Sequence, residues 1–477
     1  MGVRSRNRTF TLSIWPLRST GFLFYIKNYN RPSPPRTKIL GFTLHIPNQQ
    51  HDSLTMATTP QSLTPSQIAT IKSAVPVLQQ YGNTITSVFY RNLLAAHPDL
   101  KNTFNLANQA NNHQPLALAS ALAAYATHID DLGALGPAVE KICQKHASLY
   151  IQPQQYEVVG EFLLKAMAEV LGAACTEEVL QAWGAGYWQL AGLMIRREEE
   201  WYAASGEWGR DWRDFRLVRR ERESEEITSF YLQPVDGAEV EAFLPGQYIS
   251  VRVEVPELGC MQPRQYSLSD APNGEYYRIS VKKEPGLDPA RKGDARYPGC
   301  VSNILHDEKM VDDVIQVSHP YGEFFLDPEK AASRPTVLLS AGVGLTPMVS
   351  MVNTLTRRSS KQPISFIHGA RTSSSRAFHT HLSSIAAQHP NVQYTTFVKD
   401  PDTVINGEST DCTFRGRLNL HQLDASSDLF LQNKSSQYFI CGPETFMADI
   451  EAGLRKRGVM QDRIHMEVFG AGPVLKG

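Results

Sequence analysis

Leu338-Leu-Ser-Ala-Gly342-Val-Gly344-Leu-Thr-Pro347-Met348 carries an apolar strand into a glycine-rich turn and straight on into a helix. A phosphate seats against backbone N–H groups at the start of a helix, and a strand–glycine–helix passage presents them. A tight packing turn would also account for Gly342-Val-Gly344 taken alone. The full string through Gly342, Val343, Gly344, Leu345, Thr346 and Pro347, following a strand, points to a nucleotide loop much more strongly than Gly-x-Gly alone. Around it, apolar runs at 336–340, 364–368, 392–397 and 437–441 alternate with helical stretches, which predicts βαβ units on a parallel sheet from about residue 335 to 477. The last of these runs ends in Cys441-Gly442-Pro443, a turn at the edge where ligands of open α/β sheets collect.

Upstream the pattern changes. Between about residues 208 and 329, short β-rich runs at 228–232, 247–252, 277–281 and 314–317 are separated by Pro/Gly turns, predicting a small antiparallel barrel. Pro263-Arg264-Gln265-Tyr266-Ser267 lies between two of them. A flavin dinucleotide needs a cation for its pyrophosphate, an aromatic against its ring and a donor near the ring nitrogen that receives hydride. Arg264, Tyr266 and Ser267 offer all three, Gln265 lies among them, and Tyr248 adds a second aromatic. Val301 and Ser302 open a short helix, with Ser302 expected as its N-cap and the exposed amides as a further anion site.

From Thr64, followed by Pro65, to about Ser205, apolar residues recur at three- and four-residue spacing over 66–80, 83–96, 114–128, 133–147, 153–171 and 177–203, predicting an all-helical domain. Two positions in it carry chemistry. His146 lies on a helix with apolar neighbours. Tyr187, Ala191, Met194 and Glu198 recur at spacings of four, three and four, which puts Glu198 on an inward stripe where an acid requires a partner.

The order is therefore all-α, antiparallel barrel, α/β. The strings of residues 208–477 resemble the ferredoxin–NADP reductase superfamily. That resemblance implies FAD on Arg-x-Tyr-Ser, with NAD(P)H on the glycine loop and Cys-Gly-Pro. Arg371 reads either as a contact to a 2′-phosphate or as a solvated charge. Residues 62–203 resemble the globin domain of flavohaemoglobins, and 62–477 repeats that family's domain order. The resemblance implies one haem b held by His146, with Tyr156 and Glu198 acting on that histidine and Tyr90 as the distal tyrosine. It also implies Phe104, Gln114 and Leu118 around the haem, Val468, Phe469 and Gly470 beside the cofactors, and Lys145 and Glu467 at a haem–flavin junction. The activity implied is nitric oxide dioxygenation, with NO and O2 as small-molecule partners and a monomeric protein. The alternatives are an oxygen-binding or sensing globin with its own reductase, and a reductase of external acceptors or hydroperoxides.

Bulk properties set the limits. With 477 residues, 42% of them apolar and 20% charged, the chain has the composition of a multidomain globular protein. No run of 18 apolar residues predicts a membrane span. Six scattered cysteines contain no Cys-x-x-Cys pair, which suits a reducing compartment. Residues 1–55 carry eight Lys/Arg against Asp52, a charge of +7, while the remainder carries −8, an acidic body unlike a nucleic-acid binder. Residues 1–61 are read as an extension outside the fold. They are either a transit peptide, implying the mitochondrial matrix, or a non-native stretch ahead of a start at Met56, implying the cytoplasm.

Overall fold

The computed structural model describes residues 62–284, 299–402, 404–405, 408–409 and 412–470. The expectation for residues 1–61 lies outside them.

Seven helices form the first domain: α1 (Pro65–Ser73), α2 (Val75–Ala96), α3 (Leu106–Ala110), α4 (His113–Thr127), α5 (Gly136–Ala147), α6 (Pro153–Leu171) and α7 (Glu177–Ala204). Thr64 caps α1 reciprocally. Its hydroxyl accepts from Gln67 N at 3.2 Å, and Gln67 Oε1 accepts from Thr64 N at 2.9 Å. One boundary differs from expectation: the chain breaks at Ala74, and α2 runs unbroken through Gly82. Pro76 has no N–H to satisfy and fits the first turn of a new helix, so it starts α2. Gly82 stays helical because α4 lies against it, leaving 3.3 Å between a Cβ built there and Ala119 Cβ.

The second domain has strands β1 (Arg213–Arg222), β2 (Ile227–Pro234), β3 (Tyr248–Val255), β4 (Cys260–Ser267), β5 (Tyr277–Lys282) and β6 (Val314–Val317), with α8 (Cys300–Asp307) between β5 and β6. They form one antiparallel sheet in the order β4-β3-β6-β1-β2-β5, and a Leu268–Ile279 bridge brings its two ends together as a barrel. Phe215, Phe230, Leu232, Ile249, Val251 and Ile279 fill the interior, and α8 plugs one end with Val301, Ile304 and Leu305. Here the expected cap is corrected. Gly299, at φ +82°, precedes α8, and Ser302 sits inside the first turn with its hydroxyl donating to Gly299 O at 2.9 Å. A left-handed residue makes the turn into the helix, so no side-chain cap is needed.

The third domain begins with α9 (Pro328–Ala331) and follows with β7 (Thr336–Ala341), α10 (Leu345–Arg357), β8 (Ile364–Thr372), α11 (His379–Gln388), β9 (Val392–Asp400), β10 (Val404–Ile405), β11 (Glu408–Ser409), β12 (Phe414–Arg415), β13 (Gln437–Cys441), α12 (Glu444–Lys456) and β14 (Ile464–Glu467). The main sheet is parallel, in the order β12-β9-β8-β7-β13-β14. Strand order reverses between β7 and β13, so the Gly342 turn and the Cys441-Gly442-Pro443 turn leave adjacent carboxyl ends. Among the described residues, no helix is long and apolar enough to cross a membrane.

Candidate active site

The first domain brings three separated residues into one cluster. His146 stands in the last turn of α5, Tyr156 in the first turns of α6 and Glu198 deep in α7. His146 Nδ1 lies 2.8 Å from both Tyr156 Oη and Glu198 Oε1, and Tyr156 Oη donates to the same Oε1 at 2.6 Å. Glu198 is 2% exposed, so its carboxylate is stable only with these donors around it. Burial and the neighbouring Glu198 charge push the Tyr156 hydroxyl far above its ordinary pKa, keeping it protonated and donating. Because Tyr156 donates to Glu198, Nδ1 is the remaining donor to that carboxylate, which turns Nε2 away from the pair. Packing locks the cluster further: Tyr187 Oη donates to Tyr156 O at 2.5 Å, and a Cβ on Gly160 would meet Tyr187 Cε1 at 2.5 Å.

Among the described residues, His146 Nε2 has no protein partner, and the side chain keeps 31% of its surface. Half-buried Val139, Tyr187 and Leu190 border both this cluster and the one containing Tyr90, Phe104 and Leu118. An imidazole nitrogen with no protein partner on an aliphatic and aromatic lining is the donor set that a haem requires. Tyr90, 7% exposed, packs edge-on to Phe104 at 5.5 Å between ring centres. Burial raises the Tyr90 hydroxyl well above its usual pKa, offset in part by hydrogen bonds from Gln114 and Gln109. Gln109 Nε2 in turn donates to Gln114 Oε1 at 2.9 Å. Gln109 was not anticipated. It belongs to the five-residue α3, too short to show periodicity.

The barrel supplies the second site. The β3–β4 register sets Tyr248 opposite Ser267, Ile249 opposite Tyr266, Ser250 opposite Gln265 and Val251 opposite Arg264. Arg264 is half-buried, donates to Pro263 O at 2.7 Å and points toward Cys300 at the start of α8. Burial lowers its pKa, and among the described residues no carboxylate pairs with it. A half-buried guanidinium with no acid, beside a helix start, fits a pyrophosphate. Val301 is fully buried in the barrel core, Ser267 is buried and Tyr266 half-buried, and Gln265 Nε2 reaches Ser250 Oγ at 3.4 Å.

In the third domain, Gly342 takes φ +55°, and Leu345, Thr346 and Pro347 are buried in the first turn of α10, with Val343 against the core. Gly344 serves packing directly, because a Cβ on it would lie 2.2 Å from Cys441 O. The packing and phosphate readings of this loop are thus compatible: the close approach holds the two turns side by side. Burial pushes the Cys441 thiol well above its usual pKa, so it is not a thiolate. Arg371 pairs with Glu226 of the barrel and keeps 68% of its side-chain surface exposed.

At the meeting of the three domains, Lys145 Nζ donates to Gly470 O at 2.7 Å, while Glu467 faces Lys141 at 3.9 Å. Lys141 also reaches Glu323 at 3.8 Å. Lys141 and Glu323 escaped the sequence reading, although Lys141 lies one helical turn before Lys145 and the spacing was available. Val468 packs half-buried on the nucleotide-domain core, and Phe469 is 43% exposed. Burial raises the Glu467 carboxyl from 4.5 to about 7, with the neighbouring Lys141 pulling it down and Glu323 pushing it up. A carboxyl whose pKa is raised on folding favours the folded state below its unfolded value, and that contribution disappears as pH climbs through about 7. Glu467→Gln is therefore expected to gain on the parent chain by about 2–3 kcal/mol between pH 4.5 and 8, read as the difference in urea stability. A gap that does not change with pH would contradict the burial of this charge.

Comparison with known proteins follows the same division. A globin family model matches residues 87–194, and an oxidoreductase NAD-binding domain model matches residues 338–452. A flavohemoprotein of Bordetella parapertussis is 46% identical over 418 residues, covering 86% of this chain and all of that protein. One from Deinococcus radiodurans is 41% identical over 425 residues, 87% of this chain and all of its own. The crystal structure of a flavohemoglobin from Malassezia yamatoensis with bound FAD and heme superposes with a TM-score of 0.73 at 27% identity, over 86% of this chain and 100% of that one. The fold and the site together define an NAD(P)H-dependent oxidoreductase in which a globin domain is joined to a reductase. The chain belongs to the flavohemoprotein family.

Proposed function

We propose that this chain is a nitric oxide dioxygenase, which converts two NO, two O2 and one NAD(P)H into two nitrate, NAD(P)+ and a proton. The observation that carries the reading is the His146–Tyr156–Glu198 cluster, which leaves Nε2 free toward the lining that also holds Tyr90. When bound, FAD splits a hydride into single electrons, and haem supplies the iron where NO and O2 react.

The residues divide the work. Gly342–Pro347 and Cys441–Pro443 would seat the nicotinamide nucleotide, Arg264 would neutralise the flavin pyrophosphate, and Tyr248 and Tyr266 would supply aromatic surface for the flavin. His146 Nε2 would hold the haem iron, and Glu198, accepting from Nδ1–H, would raise the imidazole's basicity. Tyr90 keeps its proton and holds a donor in the distal pocket, with Gln114 and Gln109 fixing its oxygen. The test is product stoichiometry: purified protein given NAD(P)H and O2 should consume two NO per nucleotide and yield nitrate. NAD(P)H oxidation that ignores NO would refute the proposal.

Tyr90→Phe removes one preorganised donor, worth about 1.5–3 kcal/mol toward a charged acceptor. Dioxygen should leave the ferrous, haem-loaded variant faster by about tenfold or more in a stopped-flow trace. An unchanged dissociation rate removes Tyr90 from that role.

A further inference from the structure

Helix α5, which bears His146, turns a stripe of polar residues toward the reductase. Lys141, Gln144, Lys145 and Ser148 follow at spacings of three, four and seven from the first, so they share one helical face. Lys141 faces Glu323 and Glu467, and Lys145 donates to Gly470 O. Ser148 Oγ accepts from Ser250 Oγ at 2.9 Å, with both residues fully buried. Gln144, 3% exposed, stands at the centre, and its Oε1 accepts the N–H of Gly322 at 3.0 Å. The other end of the same amide donates to Glu140 Oε1 at 3.0 Å. Glu140 is gripped from α7 by Arg197 Nε at 2.7 Å and Trp201 Nε1 at 3.2 Å. The residue after Arg197 is Glu198, which holds His146.

Gly322 is bound up with the flavin site as well. It takes φ +123°, and a Cβ there would press on the Tyr248 ring at 3.0 Å. The Tyr248 ring, the Gly322 N–H, the Gln144 amide and the Glu140–Arg197 pair thus form one packed and hydrogen-bonded series. It runs from the barrel to the two helices that fix the histidine. A buried primary amide satisfied at both ends is directional and has one geometry, which suits a spacer that must set a position.

We propose that Gln144 is a positioning residue through which the flavin barrel sets the placement and hydrogen bonding of His146, with Lys141, Lys145 and Ser148 docking the rest of the stripe. The inference rests on the dioxygenase reading for its purpose, but its geometry involves protein atoms alone. It is tested on the full chain loaded with haem and FAD, using Gln144→Met, which keeps side-chain length and loses both hydrogen bonds.

Expected are faster hydrogen exchange at Gly322, a shifted iron–histidine stretch in the ferrous Raman spectrum, and flavin-to-haem electron transfer slowed by about tenfold. Hydride transfer from nucleotide to flavin is the internal control and should slow less than flavin-to-haem transfer, since the Gly342 and Cys441 turns are left unaltered. An unmoved stretch together with electron transfer within about twofold of the parent overturns the role. If Gln144→Met does not fold, the half-exposed Lys141→Gln is read instead. Its transfer should be a few-fold slower at low salt and converge with the parent at high salt, as exposed charge pairs are screened. Equal rates at low salt overturn the docking stripe. A chain that takes up no haem defeats the dioxygenase reading, whereas a haem-loaded chain with an unmoved stretch defeats only the role of Gln144.

Discussion

His146→Ala should abolish haem-dependent NO consumption, by at least about a hundredfold or about 2.7 kcal/mol, while leaving flavin reduction by NAD(P)H within about twofold. The first half follows from a ligand set of one. In the His146–Tyr156–Glu198 cluster only the imidazole has a nitrogen free of protein contacts, and Tyr156 Oη and Glu198 Oε1 are already bonded to each other and to Nδ1. Neither can turn to replace it without leaving Glu198, 2% exposed, short of a donor. The second half follows from the separation of domains: Val343 and Leu345 of the Gly342 turn, and Tyr266 of the barrel, pack on cores that contain no first-domain residue. The measurement pairs the Soret absorbance of purified protein with anaerobic bleaching of the flavin. A variant that keeps its haem and its NO turnover would disprove His146 as the ligand, and one that loses flavin reduction as well would disprove the independence of the reductase.

Gly344→Ala should raise the KM for NAD(P)H by about tenfold or more, with both cofactor spectra intact. Backbone strain is not the cause, because Gly344 has an ordinary helical φ of −62°. Alanine would by itself favour the helical conformation by about 1 kcal/mol. Contact decides the sign. The new Cβ would lie 2.2 Å from Cys441 O, 2.4 Å from Cys441 C and 2.7 Å from Gly442 N, and backbone cannot swing aside as a side-chain tip can. The turns must separate by roughly 1 Å to reach ordinary contact, and a displacement of that size between binding elements costs up to about a hundredfold. Gly442 leaves no room for the retreat, since a Cβ there would sit 2.8 Å from Phe446 and 3.2 Å from Ala341. Initial rates against nucleotide concentration decide it. A KM within about twofold of the parent would show that the two turns do not form one nucleotide seat.

What could be read from the chain alone was periodicity and local strings. Apolar spacing of three and four marked the helices, short β-rich runs between Pro/Gly turns marked the barrel, and the turns at Gly342 and Cys441 marked the candidate nucleotide seat, because each signal is local in the chain. Glu198 could be suspected for the same reason: an acid on an apolar stripe is a local anomaly. Where the local signal misled, a single residue overrode it, as Pro76 did for the first helix break and left-handed Gly299 for the Ser302 cap.

The tertiary structure decided what depends on distant segments meeting. His146, Tyr156 and Glu198 are 10 and 52 residues apart and share one oxygen. Gln144 reaches Gly322 across 178 residues, and Lys145 reaches Gly470 across 325. No spacing rule spans such separations, because a helix or strand transmits its period only along its own length. Side-chain partners across domains are set by how the finished cores pack against each other.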